Sequence, residues 1–145
     1  MKIKVKRLTN TAKMPERGSK FSAGYDLSAD INENILIRPH ETVKIPTGLS
    51  FEVPDGYFGG LYARSGLATK QGLRPANAVG ICDSDYRGEY IVALYNDSNI
   101  TRIIEPGQRI AQIIFQPYLM CDLEDSDTLT ETQRGDKGFG STGSK

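Results

Sequence analysis

The feature of this sequence that most restricts its fold is a series of short strand-like segments separated by turn-forming residues. Ile3 to Lys6 alternates apolar and polar residues, which is the pattern of a half-buried strand. Similar segments follow along the chain: Ile35–Ile37, Thr42–Ile45, Leu49–Val53, Tyr57–Tyr62, Glu89–Tyr95, Ile100–Ile104 and Arg109–Gln116. Turn residues such as Pro54-Asp55-Gly56 separate them. This spacing predicts an all-β domain built as a sandwich, a jelly roll or a small barrel.

Only one segment inside the domain has helical character. Ser65 is a residue type that caps helices, and Gly72 stands just beyond Lys70, where a glycine commonly ends a helix. Gly66 and Thr69 are poor helix formers, so we predict one or two turns between Ser65 and Lys70.

The composition changes near the C-terminus. Residues 122–132 are acidic and polar, and residues 135–145 are rich in glycine and serine. On composition alone, such an end is typical of a disordered tail. We therefore divide the chain into a core domain at residues 1–121 and a linker with an arm at residues 122–145.

The bulk properties exclude several classes of protein. Eighteen basic and eighteen acidic residues give a formal net charge of zero, which argues against nonspecific nucleic-acid binding. No apolar run approaches the length of a membrane span, and the basic N-terminus lacks the apolar stretch of a secretory signal. Cys82 and Cys121 lie too far apart in the sequence to suggest a disulfide framework. We expect reduced thiols and a cytoplasmic protein.

Several familiar site types fail on inspection of the sequence. The segment that begins at Asp83 resembles a calcium loop, but Arg87 and Leu94 occupy ligand positions. The glycines near the C-terminus are spaced as in a phosphate loop, but Ser141 replaces the required lysine. The motifs of zinc deaminases are absent from the sequence. The single histidine, His40, follows a proline in a turn-like stretch, and we interpret it as a surface residue.

Five separated clusters have residue contents that are unusual for loops: Ala23–Ala29, Ala63–Ala68, Asn77–Gly88, Gly107–Phe115 and Arg134–Gly143. Asp26 places a carboxylate in a strand-like segment, and Arg64 stands at the predicted helix start, where free amides favour anions. Asp83 lies in a segment that we interpret as one arm of a hairpin, and Phe139 is a lone ring among glycines. Each has a structural alternative: Asp26 as a hydrogen-bonding residue, Arg64 in a surface ion pair, and Asp83 as a turn former.

In this order the five clusters resemble the five motifs of the trimeric dUTP pyrophosphatases (dUTPases), from about residue 14 to residue 143. The segments Gly80 to Gly88 and Arg134 to Gly143 are the most specific. The resemblance implies an all-β, jelly-roll-like β-barrel with at most one short helix and a C-terminal arm. It also implies a homotrimer whose active sites each combine three chains, and it replaces the disordered tail with an arm that closes over bound nucleotide.

The resemblance implies hydrolysis of dUTP to dUMP and pyrophosphate, which limits uracil incorporation into DNA and supplies dUMP for dTTP synthesis. Asp83 would activate the attacking water, Tyr86 would pack against the deoxyribose, and Asn77 with the main chain near Gly80 would read the uracil edge. The remaining substrate contacts implied are Arg64, Ser65, Gly66 and Gln112 on the phosphates, and Arg134, Phe139, Gly140, Ser141 and Thr142 on the arm. Mg²⁺ would be held through the triphosphate and water without a direct protein ligand, with Asp26 as an outer-shell partner.

The sequence also leaves alternatives open. A related family with this fold deaminates dCTP through a glutamate, but Ala93 stands at that position here. A regulatory, protein-binding dUTPase is a second alternative. Ala63, Gln108 and Cys82 depart from the residues usual in the dUTPase motifs, and Cys82 beside the proposed base suggests sensitivity to thiol modification.

Overall fold

A computed structural model describes residues 1–138 of the chain. These residues form eleven short strands and one helix. The strands are β1 (Lys4–Arg7), β2 (Tyr25–Ser28), β3 (Ile35–Ile37), β4 (Thr42–Pro46), β5 (Leu49–Glu52), β6 (Tyr57–Tyr62), β7 (Leu73–Pro75), β8 (Gly80–Cys82), β9 (Ile91–Asn96), β10 (Arg102–Ile104) and β11 (Arg109–Pro117). The helix, α1, covers Ser65–Gln71.

The strands pair antiparallel, and most pairs join segments that are distant in the sequence. Within residues 1–138 there are four sheets, with strand orders β2-β11-β6-β8, β4-β9-β7, β1-β5 and β10-β3. The prediction of an all-β, jelly-roll-like fold with one short helix is confirmed. The pairing among the described residues forms these separate sheets and does not close into one continuous barrel.

The core consists of two apolar clusters, and β11 contributes to both of them. Ile110 and Ala111 pack in the first cluster with residues of β3, β4, β9 and β10. Ile113 packs in the second cluster, which also contains Leu27 and Tyr90. Burial of a large apolar side chain stabilises a fold by about 1.5–3 kcal/mol. The middle of β11 is therefore fixed by packing, which matters for the polar Gln112 that lies between these positions.

Predicted and observed strands agree closely where the apolar pattern was clear. Ile35–Ile37 and Tyr57–Tyr62 have the predicted bounds, and the other predicted strands are shifted by one or two residues at an end. Leu73–Pro75 was not predicted as a strand.

The hairpin expected in the third cluster is not formed. Strand β8 pairs with β6, whereas β9 pairs with β4 and β7, so the residues between β8 and β9 form a loop between two sheets.

The helix has its predicted position, but its N-terminal cap was assigned to the wrong residue. Arg64 occupies the cap position with extended backbone and no capping side-chain hydrogen bond, and Ser65 is the first helical residue. Gly72 ends the helix as predicted, with φ of 69° and an N–H that reaches the carbonyls of Leu67 and Ala68. In the part of the chain that the structure describes, no helix has the length and apolarity needed to cross a membrane.

The chain beyond β11 lies outside the core. Residues 118–138 contain no helix or strand, and every residue from 117 to 138 is exposed. The Tyr118 N–H donates to the Gly56 carbonyl at 3.0 Å, which holds the start of this segment against the domain. The proposed boundary between core and arm at residue 121 stays a prediction.

The turn between β4 and β5 depends on a glycine. Gly48 has φ of +65°, and an added Cβ would overlap the Asp30 carboxylate and lie 2.7 Å from the Ala12 Cβ. We expect Gly48→Ala to lower the free energy of unfolding by at least about 2 kcal/mol, because backbone strain and overpacking add. Urea unfolding at fixed protein concentration measures the loss.

Gly56→Ala is the matched control. Gly56 has φ of +79°, but no atom lies within 4 Å of its added Cβ. Its substitution should therefore cost only the backbone strain, about 1 kcal/mol. Equal losses in the two variants would mean that the space around Gly48 does not matter.

Candidate active site

The first pocket of interest, here called the Arg64 pocket, lies where β6 leads into α1. It has a volume of about 180 Å³ and is lined by Asp26, Arg64, Ser65, Gly66 and Gln112. Strand β11 runs between β2 and β6, with Gln112 opposite Asp26 on one side and Tyr62 on the other. The sheet register therefore brings together residues from the first, second and fourth sequence clusters.

Asp26 is held between two guanidinium groups. Its Oδ1 accepts from Arg64 Nε at 2.7 Å, and its Oδ2 accepts from Arg64 Nη2 at 3.3 Å and from Arg109 Nη1 at 3.0 Å. The Asp26 side chain is 15% exposed and that of Arg64 is 27% exposed, so the Arg64 pair is shielded from solvent more than a surface ion pair. The bidentate contact fixes the direction of the Arg64 side chain.

Gln112 is oriented by a carbonyl and by a glycine. Its Nε2 donates to the Ala63 carbonyl at 2.9 Å, which leaves a second N–H for a ligand. An added Cβ at Gly24 would overlap the Gln112 side chain. The absence of a side chain at residue 24 thus allows Gln112 to reach the chain just before Arg64.

The second pocket, here called the Asp83 pocket, lies along β8 and the loop that follows it. It has a volume of about 270 Å³, and its lining includes four predicted site residues: Asn77, Gly80, Asp83 and Tyr86. Gly80 is buried against β6, where an added Cβ would lie 3.2 Å from the Leu61 Cβ and 3.3 Å from Asn77 Nδ2. Asp83 is exposed at the end of β8, and the Asp83 carbonyl accepts from the Tyr86 N–H at 3.2 Å.

The loop from Asp83 to Tyr90 is tied to the turn between β4 and β5 and to the first residues of β5. Four hydrogen bonds connect them: Thr47 Oγ1 to the Tyr90 carbonyl (2.6 Å), the Gly48 N–H to Glu89 Oε1 (2.7 Å), the Tyr90 N–H to the Leu49 carbonyl (2.8 Å) and Ser50 Oγ to the Arg87 carbonyl (2.8 Å). Thr47 and Ser50 are buried. Buried polar groups that are fully paired give a backbone a single conformation, so we expect this loop to be rigid.

Cys82 and Tyr90 lie together at the inner side of the Asp83 pocket. Burial raises the pKa of the Cys82 thiol to about 11, and burial also raises the pKa of the Tyr90 hydroxyl. Both groups are therefore neutral near pH 7. A thiol is nucleophilic as its thiolate, so this environment gives Cys82 low reactivity.

The structure thus divides the predicted site residues into three groups. Arg64, Ser65, Gly66 and Gln112 line one pocket with Asp26, and Asn77, Gly80, Asp83 and Tyr86 line another. The two pockets share no lining residue. Arg134 lines neither pocket, is exposed, and donates from Nε to the Lys137 carbonyl at 2.9 Å. Phe139, Gly140, Ser141 and Thr142 lie outside the described residues.

Two residues of the site were not singled out from the sequence. Arg109 lies within the fourth cluster, but only the register of β11 against β2 shows that it contacts Asp26. Tyr90 begins the apolar run that becomes β9, and no sequence signal shows that its ring lies behind Tyr86.

The described residues contain no group of three or more His, Cys, Asp and Glu side chains that could hold a metal ion. Asp26 is the acidic residue nearest the predicted phosphate contacts. Each of its oxygens accepts a guanidinium N–H, and a carboxylate has further lone pairs for a water molecule. The site therefore fits a cation that is held mainly by a ligand and its water shell.

Comparison with known proteins places these motifs in a family. The sequence model of the dUTPase family matches residues 10–143. The deoxyuridine 5'-triphosphate nucleotidohydrolase of Desulfitobacterium hafniense (strain DSM 10664 / DCB-2) is 44% identical over 144 residues, which are 99% of this chain and 95% of that protein. The corresponding protein of Hydrogenobaculum sp. (strain Y04AAS1) is 43% identical over 145 residues, covering 100% of both chains.

Solved structures agree with this match. The Staphylococcus bacteriophage 80alpha dUTPase with dUPNHPP superimposes with a TM-score of 0.89 at 30% identity, covering 98% of each chain. A mutant dUTPase from phage phi11 of S. aureus, which shows the coordination of a structural Mg(II) ion, gives a TM-score of 0.81 at 25% identity. That match covers 90% of this chain and 100% of the phage protein.

The two cysteines should differ in reactivity. Cys121 is exposed, whereas the raised pKa of Cys82 keeps its thiol protonated until the pH approaches 11. A shift from 9.0 to about 11 lowers the thiolate fraction near pH 8 about a hundredfold. We therefore expect iodoacetamide at pH 8 to label Cys121 first, as followed by mass spectrometry of the peptides.

The urea-unfolded chain is the control, since both cysteines should then react at similar rates. Equal labelling rates in the folded protein would contradict the protected environment of Cys82. That result would favour the thiol sensitivity suggested by the sequence.

Proposed function

This chain belongs to the dUTPase family, and from that premise we propose that it hydrolyses dUTP to dUMP and pyrophosphate. One observation supports the proposal beyond the family match: the residues expected to bind the nucleoside line one pocket, and most of those expected to bind phosphates line another. Removal of dUTP would limit uracil incorporation into DNA and supply dUMP for dTTP synthesis.

The Asp83 pocket is the proposed site of the deoxyuridine. Asn77 and the main chain near Gly80 would bind the uracil edge, and the tight packing of Gly80 against Leu61 keeps that backbone in place. The Tyr86 ring would lie against the deoxyribose and leave no space for a 2′-hydroxyl. The four hydrogen bonds that hold the loop to residues 47–50 support this assignment, because selection by shape requires a rigid wall.

Asp83 is the proposed general base. Its carboxylate would accept a proton from a water molecule whose oxygen attacks the α-phosphorus. The bond from that phosphorus to the oxygen bridging to the β-phosphorus then breaks, and pyrophosphate leaves. Asp83 is exposed at the edge of the pocket, where a water molecule can reach its carboxylate oxygens.

The Arg64 pocket is the proposed phosphate site. Arg64, Ser65 and the free N–H of Gln112 supply a cation and hydrogen-bond donors, and the main chain at Gly66 is open to a ligand. We propose that Mg²⁺ accompanies the triphosphate and neutralises charge that develops on its oxygens. Asp26 would then accept a hydrogen bond from the water shell of the ion.

The third part of the proposed site is the segment from Arg134 onward. Arg134, Ser141 and Thr142 would contact the β- and γ-phosphates, with Gly140 giving close approach and Phe139 stacking on the uracil. We propose a homotrimer in which three chains contribute to each site. The two kinds of residue line different pockets of one chain, which is compatible with sites that combine residues of several chains.

The alternatives have less support. Deamination of dCTP lacks its carboxylate, since Ala93 in β9 carries no side-chain functional group. Regulatory binding of a protein partner has no specific feature in its favour among residues 1–138. The cytoplasmic location stays a prediction from the sequence.

Pyrophosphate release from dUTP, dCTP, dTTP and UTP, each with Mg²⁺, tests the proposed function. We expect release from dUTP alone with dUMP as co-product, because UTP would meet Tyr86 and dTTP would crowd the uracil site. Asp83→Asn is the matched variant: it keeps the side-chain shape, cannot accept the proton, and should lower turnover by about 10²–10⁴-fold with nucleotide binding retained. Ammonia from dCTP would replace this proposal with deamination, and full activity in Asp83→Asn would refute the assigned base.

Truncation after Gln133 tests the arm. Residues 117–138 are all exposed, so we expect the free energy of unfolding to change by no more than about 0.5 kcal/mol. Turnover should fall on the order of a hundredfold, because cations and donors on the phosphates are lost. Loss of the folded assembly on truncation would contradict a purely catalytic role for this segment.

The same two variants test whether sites are shared between chains. Asp83→Asn lacks the base but has the arm, and the truncated chain has the base but lacks the arm. If each site takes these parts from different chains, refolding the two inactive proteins together restores activity. Mixtures that stay inactive, although sedimentation shows mixed oligomers, would mean that one chain supplies both parts.

A further inference from the structure

Tyr90 is a buried ring that lies directly behind Tyr86. Tyr90 is 1% exposed, whereas Tyr86 is 44% exposed, and both line the Asp83 pocket. Their ring centroids are 5.8 Å apart with an interplanar angle of 36°. Phe51 packs on Tyr90 with centroids 4.6 Å apart. The exposed ring of Tyr86 therefore rests on an aromatic layer that continues into the core.

The position of the Tyr90 ring is fixed by its main chain and by its far end. The Tyr90 N–H donates to the Leu49 carbonyl at the start of β5, and the Tyr90 carbonyl accepts from Thr47 Oγ1. The hydroxyl end lies against Gly59, where an added Cβ would be 3.4 Å away. These contacts hold both ends of the Tyr90 side chain beside Tyr86.

The part of Tyr90 that packs with Tyr86 is its ring and not its hydroxyl group. Within residues 1–138 this buried hydroxyl has no nitrogen or oxygen hydrogen-bond partner, and the Cys82 thiol is its polar neighbour. What Tyr90 supplies to its neighbours is the face and the length of an aromatic ring.

Tyr86 is also held by its hydroxyl group, and its ring lies close to Gly88, where an added Cβ would overlap it. The Tyr86 hydroxyl donates to the Glu89 carbonyl at 3.0 Å. This bond holds the far end of the side chain but permits rotation about the long axis of the ring. Contacts with the ring itself limit that rotation, and the neighbouring Tyr90 ring is the large buried group that supplies one.

We propose that Tyr90 is a positioning residue for sugar selection, which holds the Tyr86 ring in the plane that excludes a 2′-hydroxyl. This inference rests on the proposed function, in which Tyr86 lies against the deoxyribose. With Tyr90 replaced by an aliphatic residue, the Tyr86 ring can tilt inward and make room for a ribose. Hydrolysis of dUTP does not require this extra space. We therefore expect the substitution to change the preference for dUTP over UTP.

The test compares kcat/KM for dUTP and UTP in wild type and in Tyr90→Leu, Tyr90→Met and Tyr90→Phe. We expect the dUTP-to-UTP ratio to fall about tenfold or more in Tyr90→Leu, mainly through faster UTP hydrolysis. The kcat on dUTP should stay within about threefold of wild type. Tyr90→Met, whose flexible side chain fills irregular space, gives a second reading if Tyr90→Leu does not fold.

Two variants separate this role from general loosening of the core. Tyr90→Phe keeps the ring and removes only the hydroxyl, so it should keep the wild-type ratio. Phe115→Leu perturbs the same apolar cluster, but its aromatic contacts are with Tyr25 and Phe51 and not with Tyr86. The ratio should therefore stay unchanged in Phe115→Leu.

The outcomes distinguish failure of the proposed function from failure of the proposed role of Tyr90. Absence of dUTP hydrolysis in the wild type would overturn the proposed function and this inference with it. A selective wild type with an unchanged ratio in Tyr90→Leu or Tyr90→Met would overturn the inference alone. An equal fall in Phe115→Leu would also overturn it, because the effect would then come from the core as a whole.

Discussion

The site depends on the antiparallel pairing of β11 with β2 on one side and with β6 on the other. This pairing sets Gln112 opposite both Asp26 and Tyr62, and it places the Ala63 carbonyl within reach of the Gln112 amide. Apolar neighbours in both core clusters fix the register, because a shift by one residue would turn Ile110 and Ile113 toward the wrong face. The core therefore determines where the polar residues of three distant sequence clusters meet.

A half-buried carboxylate at this junction requires cations, and both arginines that supply them belong to elements of the site. Arg64 continues from β6 and Arg109 begins β11, so the ion pairs also hold the ends of these strands against β2. Removing a partner from such a group leaves an uncompensated charge, which is why pairing matters more here than at an open surface. Asp26 therefore has a structural role and a position suited to a functional one, and the two alternatives drawn from the sequence are compatible.

The fold and the residue types of the site could be predicted from the sequence, but the arrangement of the site could not. Tyr57–Tyr62 was predicted with its observed bounds because turn residues precede it and its own pattern is strand-like. Leu73–Pro75 was missed because three residues ending in proline show no periodicity. The pairing of β8 with β6 joins segments about twenty residues apart, and no local signal specifies a partner at that distance. For the same reason, the contacts of Arg109 with Asp26 and of Tyr90 with Tyr86 are visible only in three dimensions.

The charges at the Arg64 pocket fall short of those that a triphosphate carries. Arg64 in the pocket and Arg109, which contacts Asp26 from outside the pocket lining, carry two positive charges, and Asp26 cancels one of them. A triphosphate carries several negative charges, so one net positive charge leaves most of them uncompensated. In a protein whose formal net charge is zero, the remainder must come from groups placed locally. Mg²⁺ brought by the nucleotide and the cations of the C-terminal segment, Arg134 and Lys137, would meet that requirement only when substrate is bound. Such an arrangement would limit repulsion between cations around the pocket and would couple charge neutralisation to substrate binding.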